Sequence, residues 1–354
     1  MSWLTRMWTV ASIELQQRVR GAAWYVLLGI FVLVVLIVTV FTTLATGNSD
    51  APGAVLYSLI VYFVLLLGSL VVPALSGNAI NGDREAGTLA TTQVTLVTTP
   101  QLVLGKLLAA WITSLGFLLA ALPFLLFALV LGGASVSSAV VSILVLALEL
   151  GIVSAIGVGL SGLIRRPLFS VVATYLVVAL LSVGTLIAFG LGGLVAQEEV
   201  TVEYETIDWP ASSDEIDPQT GLPEEIVCTT ATTTYTTPRF DRVWWVLAAN
   251  PYVLLADAVP THFDRYGNPD DLFGSIKYAV RQAQLAPNPQ GWSECMRFGD
   301  QPDYPTAEET IASTVPSWAV GLALHLLLAG GLVAGAVART HAPARRMATG
   351  SRVA

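Results

Sequence analysis

Two titratable side chains, Glu149 and His325, stand inside long apolar stretches of this sequence. Such groups are costly at membrane depth, so they face protein or water, where they pair, move protons or meet a charged substrate. For Glu149 two readings stay open: it lines a translocation path and recognises a cationic group or pairs with His325, or it is a buried structural carboxyl. The same alternatives hold for His325. The other histidines, His262 and His341, lie far away in the chain, so no metal site is expected. The two cysteines, Cys228 and Cys295, share one polar stretch; on an oxidising face they are expected to form a disulfide, the alternative being two unpaired buried thiols. Gly105-Lys106 is the single Gly-Lys dipeptide. A phosphate-cradling loop needs an upstream glycine and a Ser or Thr after the lysine. Here Pro100 stands upstream and Leu107 follows, so no nucleotide or other cofactor is expected on this chain, and it is not read as an enzyme.

The elements that must position these residues follow from composition. Of 354 residues, 54% are hydrophobic and 12% charged, against about 25% charged in average soluble proteins. The mean hydropathy is +0.69. The apolar residues form uncharged runs, among them 29 residues from Gly21 to Ser49 and 42 from Leu107 to Leu148, where about 20 suffice to cross a bilayer. Six helical spans are expected, at roughly 23–46, 53–76, 104–131, 136–163, 168–195 and 315–338. They must be helices, because lipid offers no partner to a free backbone amide. Arg6, Arg18, Arg20, Arg84, Lys106, Arg165, Arg166, Arg339, Arg345, Arg346 and Arg352 all fall on one side of a six-span chain, which the positive-inside rule makes the cytoplasm. Both termini are then cytoplasmic, residues 339–354 form a basic tail, and the first span serves as its own signal anchor. Anionic lipid is the partner expected for this rim, and nucleic acid is not.

Two further segments stand apart. In residues 1–22, Leu4, Trp8, Ala11, Leu15 and Val19 recur with helical spacing opposite polar positions, which predicts a helix lying in the headgroup plane. The stretch 197–315 holds 20 of the 25 acidic and 6 of the 17 basic residues, hence a charge of −14 within a chain total of −8. Its Thr229–Thr237 tract favours strand, and an α+β extracellular domain is expected over 197–314. Within it, 243–260 is apolar but too short to span and is broken at Asn250-Pro251; it reads as a re-entrant pair of short helices, or as a core helix of the outer domain.

The loop from Asn78 to Trp111 carries a pattern, Arg84-Glu85, Gly87-Thr88-Leu89, Thr99-Pro100 and Gly105-Lys106-Leu107, that resembles the type-2 ATP-binding-cassette permeases of bacteria. The leading helix, the broken pair before the sixth span and Asn250-Pro251 resemble that family too, over about two-thirds of the chain. The chain departs from it at Ala90, where many members carry an acid, and in the length of the outer stretch. The resemblance implies a fold of six transmembrane helices with an N-terminal interfacial helix, and a cytoplasmic coupling loop at 77–103. It implies that Arg84, Glu85, Gly87, Thr88 and Leu89 engage a separate ATPase subunit holding ATP and Mg, and that a second permease chain completes an exporter in the cytoplasmic membrane. From the residues themselves, Asp83 is a candidate cap, Glu85 suits the first turn of a short helix, and Leu89, Val94 and Leu96 could enter a partner's groove. The competing reading is a membrane-anchored sensor or enzyme with an acidic outer domain; an ion-coupled carrier is disfavoured because no internal repeat is visible.

Overall fold

The computed structural model describes residues 2–47, 52–87, 97–212, 227–287 and 305–340. The chain is mostly helical, and six helices are long and apolar enough to cross a membrane. In order they are α2 (Ala22–Thr46), α3 (Pro52–Ser76), α5 (Thr99–Val130), α6 (Val136–Leu163), the pair α7 (Pro167–Ala179) and α8 (Thr185–Val195) joined by a π-helical turn at Leu180–Gly184, and α13 (Ser317–Thr340). Before them lies α1 (Trp3–Arg20), broken from α2 at Gly21, and between α3 and α5 lies α4 (Asn81–Glu85). After α8 come an antiparallel hairpin, β1 (Gln197–Ile207) and β2 (Cys228–Pro238), then α9 (Trp245–Ala248), α10 (Pro251–Ala258), α11 (Leu272–Gln282) and α12 (Ala307–Ser313). The expected spans agree with these helices to within about five residues at each end.

The packing is that of a multi-pass membrane protein. Large apolar side chains point outward, such as Phe41, Leu44, Leu119, Leu176 and Leu327, while Ser58, Ser76, Ser114, Ser142, Ser154, Ser161 and Ser170 are fully buried. Several serines satisfy themselves on the preceding turn: Ser58 donates to the Ala54 carbonyl, Ser76 to Val72 and Ser154 to Leu150. Between helices in lipid there is no hydrophobic driving force, so close contact and hydrogen bonds carry the association. At Gly157 a Cβ would overlap the Ser76 side chain, so α3 and α6 approach through a bare backbone. The main core joins α2, α3, α5 and α6 around Phe31, Tyr57, Ile60 and Phe117.

The stretch expected to be one α+β domain divides. The threonine tract is strand, as its β-branched density predicts, paired in register with acidic β1 (Val202 opposite Thr233, Glu203 opposite Thr232). Arg239 closes the hairpin base through Glu198 and Asp241; these pairings raise the Arg239 pKa and hold Asp241 below its usual carboxylate range. The following helices share their core with the bundle, through Tyr252, Leu255, Val259 and Phe273. The broken pair is present as α9 and α10, separated at Asn250-Pro251. Asn250 caps α10 by accepting from the Tyr252 amide at 2.9 Å, and its Nδ2 donates to the Ser182 carbonyl at 2.6 Å, inside the π turn.

Asp271 is the N-cap of α11 and accepts from the Gly274 amide at 2.6 Å. Burial pushes its pKa up to about 6. The folded state therefore prefers the protonated acid. The stability it adds is complete below the ordinary carboxylate range and is lost as pH rises through about 6. Hydrogen exchange over 274–282, corrected for intrinsic rates, should lose protection on the order of tenfold between pH 4 and 7. Asp271→Asn keeps the cap and should flatten the profile; an unchanged slope in that variant assigns the effect elsewhere.

Candidate functional site

Two constellations gather the predicted residues. The first lies at the basic end. Asn81 is fully buried, and its Nδ2 donates to the Ile164 carbonyl at 2.6 Å and to Ser170 Oγ at 3.1 Å. Ser161 Oγ accepts from the Ile80 and Asn81 amides at 3.0 and 3.1 Å. Arg84 donates to Asn81 Oδ1 at 2.8 Å and to the Gly162 carbonyl at 3.1 Å. These bonds fasten α4 to the corner between α6 and α7. Arg84 is therefore committed inside the protein, whereas Glu85 and Gly87 are exposed. Gly87 ends the segment at φ +69°, the left-handed region that glycine enters freely. Thr88, Leu89, Val94 and Leu96 lie outside the described residues.

Asp83 stands within α4, which starts after Ile80 with no side-chain cap there. Its carboxylate takes Lys106 Nζ at 2.8 Å, and the same ammonium meets Glu14 of α1. Lys106 is 2% exposed, and a charge buried that deeply needs opposite charges beside it. It ties α1, α4 and α5 at one point, with Gln101 Nε2 adding a bond to the Trp3 carbonyl at 3.2 Å. Sequence reasoning weighs this lysine as a phosphate ligand, as part of the basic rim and as part of the loop pattern, not as a buried ion-pair partner; its position in the first turns of an apolar span is the signal that it needs carboxylates. The predicted stripe of α1 divides between packed and exposed positions. Its packed face runs through Met7, Val10, Ala11 and Glu14, because Gly105 lets α5 approach that side. Leu4, Trp8 and Val19 remain exposed. Arg18, on the same packed side, has its pKa lowered by burial.

The second constellation is in the bundle. His325 Nδ1 lies 3.1 Å from both oxygens of Glu149, and its Nε2 is 2.9 Å from the Ala249 carbonyl. Both side chains are 1% exposed. The imidazole thus links α6 and α13 to the last carbonyl before Asn250. On α13, Gly321, His325 and Ala329 share the buried face as helical spacing predicts, and a Cβ at Gly321 would overlap the Ala248 carbonyl. The same spacing points Glu149 away from a seam of Gly151, Ala155 and Gly159. In the structure Glu149 and Gly159 both meet α13, Gly159 lying against Leu332, while Gly151 faces Trp111. Residues ten apart are separated by about 2.8 helical turns, which brings them back toward one side. Neither Glu149 nor His325 borders the apolar cavity of about 320 Å³ that Trp111, Ile152 and Ala329 line.

A third clip has no counterpart in the sequence reading. Arg281 of α11 donates to both oxygens of Asp257 at 2.7 and 3.2 Å and to the Thr314 carbonyl at 2.7 Å, and Asp257 accepts from the Trp318 amide at 2.9 Å. It locks α10, α11 and the start of α13. The available signal is one acid closing the apolar run 243–256. Cys228 opens β2, and Cys295 lies outside the described residues. Among the described residues no group of three His, Cys, Asp or Glu side chains could hold a metal ion. Neither protein-family models nor curated proteins match this sequence.

Proposed function

We propose that this chain is the membrane subunit of an ATP-driven exporter of the type-2 ATP-binding-cassette kind. The supporting observation is the junction at the basic end. A short helix ending at exposed Glu85, with exposed Gly87 just beyond, is fastened to α6 and α7 through Asn81 and Arg84, and to α1 and α5 through Asp83 and Lys106. A push on such a segment moves several long helices together, as docking of a nucleotide-driven subunit requires. Energetically, nucleotide need only bind one state more tightly than the other. In this reading the basic end is cytoplasmic, α1 rests in the headgroup layer on Leu4, Trp8 and Val19, and α9 and α10 enter the outer leaflet. Residues 197–238 stand outside, with Cys228 and Cys295 paired. ATP and Mg belong to the partner ATPase, and a second permease chain completes the pore.

Reconstituted alone, the chain should turn over no nucleotide; with its cognate ATPase, turnover should appear and respond to substitution of Glu85. A Thr88→Cys variant should react with an impermeant maleimide only from the cytoplasmic side. Nucleotide turnover by the chain alone, or labelling of the Thr88→Cys variant from outside intact cells, ends this reading. Non-reducing peptide mapping should recover Cys228 joined to Cys295.

A further inference from the structure

The corner between α6 and α7 combines charge and an apolar groove in a way that the coupling role does not use. Arg165 and Arg166 are exposed there, and among the described residues no carboxylate lies within ion-pair distance of either. Arg84 lies close enough to Arg165 for their positive charges to act on each other. Arg166 is also the N-cap of α7, whose first turn holds no acid and no side-chain cap. The positive end of the helix dipole therefore adds to the guanidinium charges rather than offsetting them. An anion is the missing partner.

Its other half is apolar. From this mouth a groove of about 390 Å³ runs along α7 over Phe169, Val172, Ala173 and Leu176. These positions repeat at three and four residues, so they form one continuous face. The guanidinium of Arg166 sits 5.7 Å from the Phe169 ring centroid, at the point where charge gives way to hydrocarbon. From residue 166 to 176 the helix rises about 15 Å, half of a bilayer core about 30 Å thick.

We propose that this corner binds one anionic phospholipid, with its phosphodiester between Arg165 and Arg166 and an acyl chain along Phe169, Val172 and Leu176. Two guanidinium groups suit a phosphodiester because each presents a planar fork of donors. A choline headgroup brings its own cation into the same field and is disfavoured. The apolar face beside the arginines selects a lipid over a free phosphate.

Native mass spectrometry of the full chain, with equal phosphatidylglycerol and phosphatidylcholine, tests this. Phosphatidylglycerol should be retained about tenfold over phosphatidylcholine, as two arginines at a membrane surface warrant. Arg165→Gln with Arg166→Gln should abolish the preference. Val172→Trp, which fills the groove and leaves the arginines intact, should lower phosphatidylglycerol retention as well; Val172 is 46% exposed, so the fold tolerates the change. Inorganic phosphate at matched concentration should not displace the lipid. Equal retention of the two lipids overturns the proposal. So does a preference that survives loss of both arginines, retention unaffected by Val172→Trp, or displacement by phosphate.

Discussion

His325→Ala is expected to destabilise the bundle by about 3–5 kcal/mol, the usual consequence of removing one partner from a buried pair. The variant leaves the Glu149 carboxyl, 1% exposed, without its neighbour at 3.1 Å and leaves the Ala249 carbonyl without a partner. Glu149→Gln should cost far less, because a neutral amide still reaches the imidazole. Glu149→Leu combined with His325→Leu should recover most of the loss, since an apolar pair of similar volume needs no compensation. Thermal unfolding in nanodiscs measures each of these variants against the unaltered protein. Additive single effects, or a His325→Ala loss below about 1 kcal/mol, mean that the pair is not coupled. The same variants separate structure from transport. If Glu149 also meets substrate, Glu149→Gln will change transport while leaving unfolding nearly untouched; unchanged transport at every pH and substrate removes Glu149 from the path.

The second large effect belongs to Lys106. Lys106→Met strands the Glu14 and Asp83 carboxylates, and the expected cost is toward the lower end of roughly 3–5 kcal/mol. It is the lower end because their side chains are 17% and 28% exposed and water can reach them. Because the ammonium joins three elements, the loss should be local: α1 should exchange its amides much faster, while the core around Phe117 keeps its protection. The triple variant Glu14→Gln, Asp83→Asn, Lys106→Met removes all three charges and should regain much of the stability. Under the exporter reading it should not regain coupling, since neutral side chains hold α4 to α5 less firmly than the ion pairs do. Full ATPase coupling in the Lys106→Met protein would detach this junction from the mechanism.

These expectations rest on different amounts of sequence. The six long helices were legible because lipid imposes one requirement, an uninterrupted apolar run with its amides bonded internally, and runs such as Gly21–Ser49 are visible without any partner. The break at Asn250-Pro251 was legible as well, since proline cannot continue a helix and asparagine caps one. The strand at Thr229–Thr237 followed from β-branching. None of these depends on what lies across the interface.

What the tertiary structure alone decided is which side chain meets which. Apolarity selects one stripe on α1, but the packed face is set by Gly105, whose missing side chain admits Met7 and Val10. Asp83 has the right type for a cap, and nothing local shows that a lysine 23 positions later pairs with it. Counting residues places Glu149 and His325 at equal depth, and the contact between them requires the rotation of α6 against α13. The pairing of Arg281 with Asp257 has no local sign beyond a lone acid after an apolar run. Sequence thus determined which segments enter the membrane and where they stop, because burial in lipid is a property of each segment by itself. The electrostatic junctions were decided by helix rotation and close approach, which depend on the shape of two surfaces at once.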